Sequence, residues 1–213
     1  MKSDINYSLY LVTDRGLMAA SRIEECVEQA VRGGCTIVQL REKTASSREF
    51  YETALRVRKI TADLGVPLII NDRADIALAV NADGVHVGQD DLPVDAARGI
   101  MGKDAVIGAS VNNLSEALSA VDLGADYLGV GAMFATGTKT DADIAGMDEL
   151  LRIRAGVKLP IVAIGGINKN NVKLFAGTGI DGIAVVSAIV SQKDADSAAR
   201  ELKNLFYSTM GKK

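Results

Sequence analysis

Short apolar, β-branched runs recur at residues 9–12, 37–40, 68–70, 85–87, 106–107, 127–130, 161–164 and 183–186. Each is too short for a helix and apolar at successive positions, the pattern of a strand buried on both faces. Between the runs, apolar residues return at helical spacing. Ile23, Val27, Ala30 and Val31 share one face; Phe50, Ala54, Val57, Ile60 and Leu64 make a longer stripe; Leu114, Ala117, Leu118 and Val121 make a third. Ser21 and Ser46 each stand three residues before a glutamate, Glu24 and Glu49, which predicts capping boxes at two of these helices. Weaker helical patterns cover 75–80, 93–101, 148–155, 169–176 and 194–209.

About eight strand-to-helix alternations require a parallel sheet, because each strand must be crossed over by a helix before the next can pair. An open doubly wound sheet and a closed (β/α)8 TIM barrel both satisfy that rule. Eight units within 213 residues, with no long insertion, favour the barrel as a single domain over 1–213.

Composition narrows the partners. The chain is 48% apolar, as globular proteins are, and its 24 Lys+Arg against 27 Asp+Glu leave a formal charge of -3 without a basic run. That balance argues against nucleic acid or an anionic membrane as the main partner and leaves room for a local cationic pocket. No apolar stretch approaches the roughly 18 residues of a membrane span. The polar residues 1–6 lead straight into the first strand, so no secretory signal is expected. Cys26 and Cys35 have no metal-like partners and read as reduced core thiols of a cytoplasmic protein. Glycine outnumbers proline 21 to 3, and glycines beside strands suggest loops that touch a ligand with their amides.

Polar residues gather just after the strands, where parallel barrels place ligands. Gln39, Arg41 and Lys43 share one face of an extended segment, an anion-binding comb unless it is a solvated strand end paired to Glu42 or a neighbour. Asn71 and Asp72 end the third strand and Asp91 follows the fourth. Two carboxylates on adjacent strand ends suit one Mg²⁺ with water and phosphate completing its shell; the alternative is that both cap the following helices. Thr136, Gly137, Thr138 and Lys139 resemble a phosphate cradle in composition only, and a surface loop remains the other reading. Gly165, Gly166 and Ser187 end the last two strands, where such barrels often take a phosphate on backbone amides. His86, the only histidine, sits within a strand and reads as a packed, hydrogen-bonded core residue; a histidine-rich metal site or a nucleophilic triad is excluded.

Taken in order, Q-L-R-E-K at 39–43, I-N-D-R at 70–73, D-G-V-H-V-G-Q-D-D at 83–91, T-G-T-K at 136–139, A-I-G-G-I at 163–167 and V-V-S-A-I at 185–189 resemble the thiamine phosphate synthase family. The resemblance runs from first strand to last. It implies a Mg²⁺-dependent condensation of a hydroxymethylpyrimidine diphosphate with a thiazole phosphate, releasing pyrophosphate through a pyrimidine carbocation. It also implies site roles. Gln39, Leu40, Arg41, Glu42, Lys43 and Asn71 hold the pyrimidine diphosphate, and Asp72 and Asp91 bind Mg²⁺. Ser110 meets the diphosphate end. Thr136, Gly137, Thr138, Gly166, Val186 and Ser187 receive the thiazole phosphate, and Lys139 touches the diphosphate. Arg41, Lys43, Ser110 and Lys139 are the catalytic set so implied.

Ala135 and Gly137 stand where the family often has proline, and Asn112 where many relatives carry His, differences that bear on loop order and rate rather than reaction type. A thiazole tautomerase on the same barrel would lack the diphosphate and metal residues kept here. A phosphosugar epimerase would need metal-binding histidines. A module that merely bound a monophosphate would not need the full cationic and carboxylate set. Oligomeric state is not expressed in the pattern.

Overall fold

The computed structural model describes residues 5–135 and 145–211. Eight parallel strands close on themselves in the order of the chain: β1 (Leu9–Val12), β2 (Ile37–Leu40), β3 (Leu68–Asn71), β4 (Gly84–Val87), β5 (Val106–Val111), β6 (Tyr127–Val130), β7 (Ile161–Ile164) and β8 (Gly182–Val185). Closure is the pairing of β8 with β1, Ile183 opposite Leu9 and Val185 opposite Leu11. The TIM barrel expected from the alternation is therefore the fold, and the open sheet is excluded.

Strand alternation sorts the side chains into two cores. Tyr10, Val12, Ile37, Ile69, Tyr127, Val162 and Ala184 fill the barrel's interior. Leu9, Leu11, Val38, Leu40, Leu68, Ile70 and their counterparts point outward to meet the helices. The outer ring comprises α1 (Ile23–Gly33), α2 (Ser47–Asp63), α3 (Ala74–Ala79), α4 (Val94–Met101), α5 (Leu114–Asp122), α6 (Gly146–Gly156), α7 (Ser187–Val190) and α8 (Ala195–Thr209). Cys26 and Cys35 are free and buried in the outer core. Among the described residues no helix is long and apolar enough to cross a membrane.

Two local expectations fail for identifiable reasons. Ser46 forms its capping box with Glu49, but Ser21 does not: the residue before α1 is Arg22, which makes no side-chain cap, and Arg56 of α2 takes the Glu24 carboxylate instead. The pattern at 169–176 yields only a 3₁₀ turn, Val172–Phe175. There Asn168 and Asn171 compete with the helix for backbone partners, both donating from Nδ2 to the Gly166 carbonyl, while the Asn168 amide donates to Asn171 Oδ1.

The amino ends of the odd strands share a device. Asp83, Asp126 and Asp181, each just before an even strand, accept at Oδ2 from an amide in the first two residues of the preceding odd strand: Leu68, Ile107 and Ile161, all at 2.8 Å. Each carboxylate also takes an arginine, Arg58, Arg98 or Arg154. Thr36 Oγ1 holds the corresponding place before β2, accepting from the Leu9 amide at 3.2 Å. Four strand pairs are thus clamped at the end opposite the ligand-facing mouth, leaving the carboxyl ends free to carry chemistry.

Candidate active site

A cavity of about 450 Å³ opens at the carboxyl ends of the strands. Inward-facing Tyr10, Gln39, His86, Ser110 and Tyr127 line its depth, and residues just past the strand ends make its rim. The comb of β2 is real in geometry: Gln39, Arg41 and Lys43 all line the cavity, whereas Leu40 between them is fully buried in the outer core. Glu42 turns away to Arg15, which donates from its terminal nitrogen at 2.6 Å. Arg41 and Lys43 therefore pair with other carboxylates, Arg41 with Asp14 at 2.8 Å and Lys43 with Asp72 at 2.6 Å.

Asp72 stands just past β3 in the left-handed backbone region, φ 63°, which Asp tolerates better than most residues. Its amide donates to the His86 carbonyl at 2.8 Å, so the turn is tied to β4. Burial pushes the Asp72 carboxyl above the usual range, and the nearby Asp91 carboxylate pushes the same way against the opposing Lys43 ammonium. Asp91 in turn accepts from the Gly88 amide at 2.8 Å. Neither carboxylate caps a helix: the caps of α3 and α4 are Arg73 and Pro93, without side-chain bonds. Two converging carboxylates, with the Lys43 ammonium on Asp72, form an oxygen donor set that fits a hard divalent cation. Among the described residues no cluster of three or more His, Cys, Asp or Glu groups forms, so water or ligand oxygens would have to complete such a shell.

The barrel's depth carries a continuous hydrogen-bonded chain. Gln39 Nε2 donates to the Tyr10 hydroxyl at 3.0 Å, Tyr10 meets Tyr127 at 2.7 Å, and Tyr127 meets His86 Nδ1 at 2.8 Å. His86 Nε2 meets Ser110 Oγ at 2.9 Å. His86 is thus buried and hydrogen-bonded as expected, yet it also lines the cavity. Burial lowers its pKa from 6.5 to about 4, so the ring is neutral.

Across the mouth, the segments after β6 and β7 run against each other, the Met133 amide donating to the Ile164 carbonyl and the Phe134 amide to Gly165. Gly165 and Gly166 have φ of 99° and 67°, and a Cβ on Gly166 would collide with Phe134 and the Ala135 carbonyl. Glycine is required there for the close approach. Gly166, Val186 and Ser187 line this side of the cavity, as does Asn71 on the other. Thr136, Gly137, Thr138 and Lys139 lie outside the described residues. The sequence reading of the site passed over Tyr10 and Tyr127, whose inward direction depends on barrel closure, and Asp14, visible only as one polar residue after a strand.

Residues 9–189 match the family model described as Thiamine monophosphate synthase. The chain belongs to this family. Among the thiamine-phosphate synthases, the protein of Clostridium beijerinckii is 59% identical over 97% of this chain and 99% of its own. That of Ruminiclostridium cellulolyticum is 57% identical over 98% and 99%. The solved thiamine phosphate pyrophosphorylase of Pyrococcus furiosus superposes with a TM-score of 0.90 at 42% identity, covering 97% of this chain and 98% of that one. The KGPDC structure from Streptococcus mutans, TM-score 0.70 at 14% identity over 96% and 99%, shares the fold alone. Within the thiamine monophosphate synthase family, the local setting of Asn112 is clear in this chain: its backbone amide and Nδ2 both donate to Glu116 Oε2, at 2.7 and 3.2 Å, on the cavity's edge.

Proposed function

We propose that this member of the thiamine phosphate synthase family is a transferase that joins 4-amino-2-methyl-5-hydroxymethylpyrimidine diphosphate to 4-methyl-5-(2-phosphoethyl)thiazole, forming thiamine phosphate and releasing pyrophosphate. The carboxylated thiazole phosphate, which carries the same ring nitrogen and phosphate, is proposed as an alternative acceptor. The observation that carries this reading is the convergence of Arg41, Lys43, Asp72 and Asp91 on one mouth.

In the reaction, the bond between the pyrimidine methylene and the diphosphate oxygen breaks first and leaves with its electron pair on pyrophosphate. The ring system holds the resulting positive charge until the thiazole nitrogen attacks the methylene carbon. No protein nucleophile is required. Charge accumulates on the departing oxygens, and fixed cations in a partly desolvated cleft stabilise it without reorganisation. Arg41 and Lys43 can supply those charges, each now held by a carboxylate, Asp14 or Asp72. Lys139 is assigned the same duty.

Asp72 and Asp91 would hold Mg²⁺. When bound, the ion supplies a positive charge against the diphosphate oxygens. Engagement of Asp72 there would release the Lys43 ammonium to the anion. Gln39 and Asn71 orient the pyrimidine diphosphate, and Gly166, Val186 and Ser187, with Thr136 and Thr138, receive the thiazole phosphate. Holding both substrates in one cavity makes the second step effectively unimolecular.

The test is direct. Purified protein mixed with both substrates and Mg²⁺ should release pyrophosphate in a one-to-one ratio with thiamine phosphate. A folded sample that binds either phosphate compound yet releases no pyrophosphate overturns the reading in favour of a binding module.

A further inference from the structure

His86 Nε2 and Ser110 Oγ lie at the spacing of a serine activated by a histidine base, 2.9 Å. The chain behind them bears on which of the two donates. An amide nitrogen has no lone pair to offer, so Gln39 Nε2 can only donate, and the Tyr10 oxygen is its acceptor. The 2.7 Å contact of Tyr10 with Tyr127 and the 2.8 Å contact of Tyr127 with His86 Nδ1 then accommodate a hydrogen passed on from each hydroxyl in turn. A neutral imidazole that accepts at Nδ1 carries its hydrogen on Nε2. Nε2–H therefore donates to Ser110 Oγ, and the serine's own hydrogen is left to point into the cavity that Ser110 lines.

We propose that Gln39, Tyr10, Tyr127 and His86 form a one-way hydrogen-bond relay that presets Ser110 as a donor to an acceptor atom of the bound substrate, so that Ser110 is not a nucleophile and His86 is not its base. His86, Tyr127 and Tyr10 are positioning residues acting through Ser110. The relay toward substrate rests on the transferase reading above; the direction of the hydrogen bonds does not.

The surroundings support a fixed direction. Tyr10 and Tyr127 are 1% and 0% exposed, and burial raises both phenols so that they keep their protons. Room for the relay is built into the neighbouring strands. A Cβ on Gly108 would strike the Tyr127 ring and hydroxyl and His86 Nδ1, and one on Gly129 would lie 3.1 Å from His86 Cε1. Glycine at both positions lets the two rings meet.

The chain's single histidine makes the test clean. Long-range ¹H–¹⁵N correlation on the uniformly labelled protein at neutral pH should show one imidazole, protonated at Nε2 and bare at Nδ1. Protonation at Nδ1, or at both nitrogens, overturns the relay. Gln39→Leu removes the terminal donor, so the fixed order should be lost and the single tautomer should become a mixture; an unchanged single tautomer overturns the assignment to Gln39. If that variant does not fold, Tyr10→Phe cuts the chain at its second link and should convert the single tautomer into a mixture, whereas an unchanged single tautomer overturns the proposal. In parallel, a fluorophosphonate probe should leave Ser110 unlabelled by mass spectrometry, and a covalent adduct on Ser110 overturns it. Pyrophosphate release reports on the transferase reading separately, since a protein inactive in that assay still reveals its tautomer.

Discussion

At the scale of single residues, the site is held together by pairs of opposite charge that a ligand can exchange. The Lys43–Asp72 pair at 2.6 Å and the Arg41–Asp14 pair at 2.8 Å are partly exposed, so each contributes little to stability by itself. Their worth lies in keeping cations aimed at the mouth. Asp72→Asn or Asp91→Ala should raise the Mg²⁺ concentration for half-maximal pyrophosphate release by about tenfold or more, the loss of one charged ligand, with unfolding transitions unchanged within about 1 kcal/mol. Unaltered Mg²⁺ dependence in both variants removes them from a metal site. His86 gives a pH prediction whose sign follows from linkage. Its folded pKa of about 4 lies below the ordinary 6.5, so between those values the unfolded chain takes up a proton that the folded protein refuses. Stability from this group is complete above 6.5 and falls as the pH drops through the window, by on the order of 3 kcal/mol in total. Denaturant unfolding of the wild type and His86→Asn between neutral pH and pH 4 should show a steeper loss for the wild type.

At the scale of elements, local rules hold where no tertiary partner competes. Ser46→Ala should cost about 1 kcal/mol in denaturant unfolding, because Ser46 Oγ accepts from the Glu49 amide and Glu49 accepts from the Ser46 amide. Ser21→Ala should cost much less than that. The two sites look alike along the chain, but Glu24 faces Arg56 on α2 and Glu49 has no such claim on it. The inverse case is β4 and β5. Their apolar cores were readable at 85–87 and 106–107, but β5 extends to Val111, and the addition includes Ser110, the residue that faces the cavity. Gly108 interrupts the β-branched run and Ser110 carries no apolar signal, so pattern alone stops the strand early.

At the scale of the whole molecule, stability and chemistry occupy opposite ends of the barrel. The clamps made by Asp83, Asp126 and Asp181 tie odd strands to even ones away from the cavity. Asp126→Ala leaves the Ile107 amide and the Arg98 guanidinium without this carboxylate and should lower unfolding free energy by about 2–3 kcal/mol. Pyrophosphate release by the folded fraction should stay within about twofold of the wild type, measured below the unfolding transition. A large loss of turnover in that variant would mean the two ends are coupled.

The eight strands, their order, most helices and the polar residues at strand ends were legible in the sequence, because burial on two faces and helical periodicity are local patterns that each segment carries by itself. The cationic comb was legible too, since side chains two apart on an extended segment must share a face. Other features depend on contacts between residues far apart in the chain. Closure of β8 on β1 decides that the sheet is a barrel and turns Tyr10 and Tyr127 inward to meet across 117 positions. Lateral pairing of β4, β5 and β6 makes His86 a link between Tyr127 and Ser110 rather than an isolated core residue, and that of β2, β3 and β4 brings Asp72 near Asp91 and within reach of Lys43. Periodicity states which face a residue occupies; only the tertiary structure determines what that face meets.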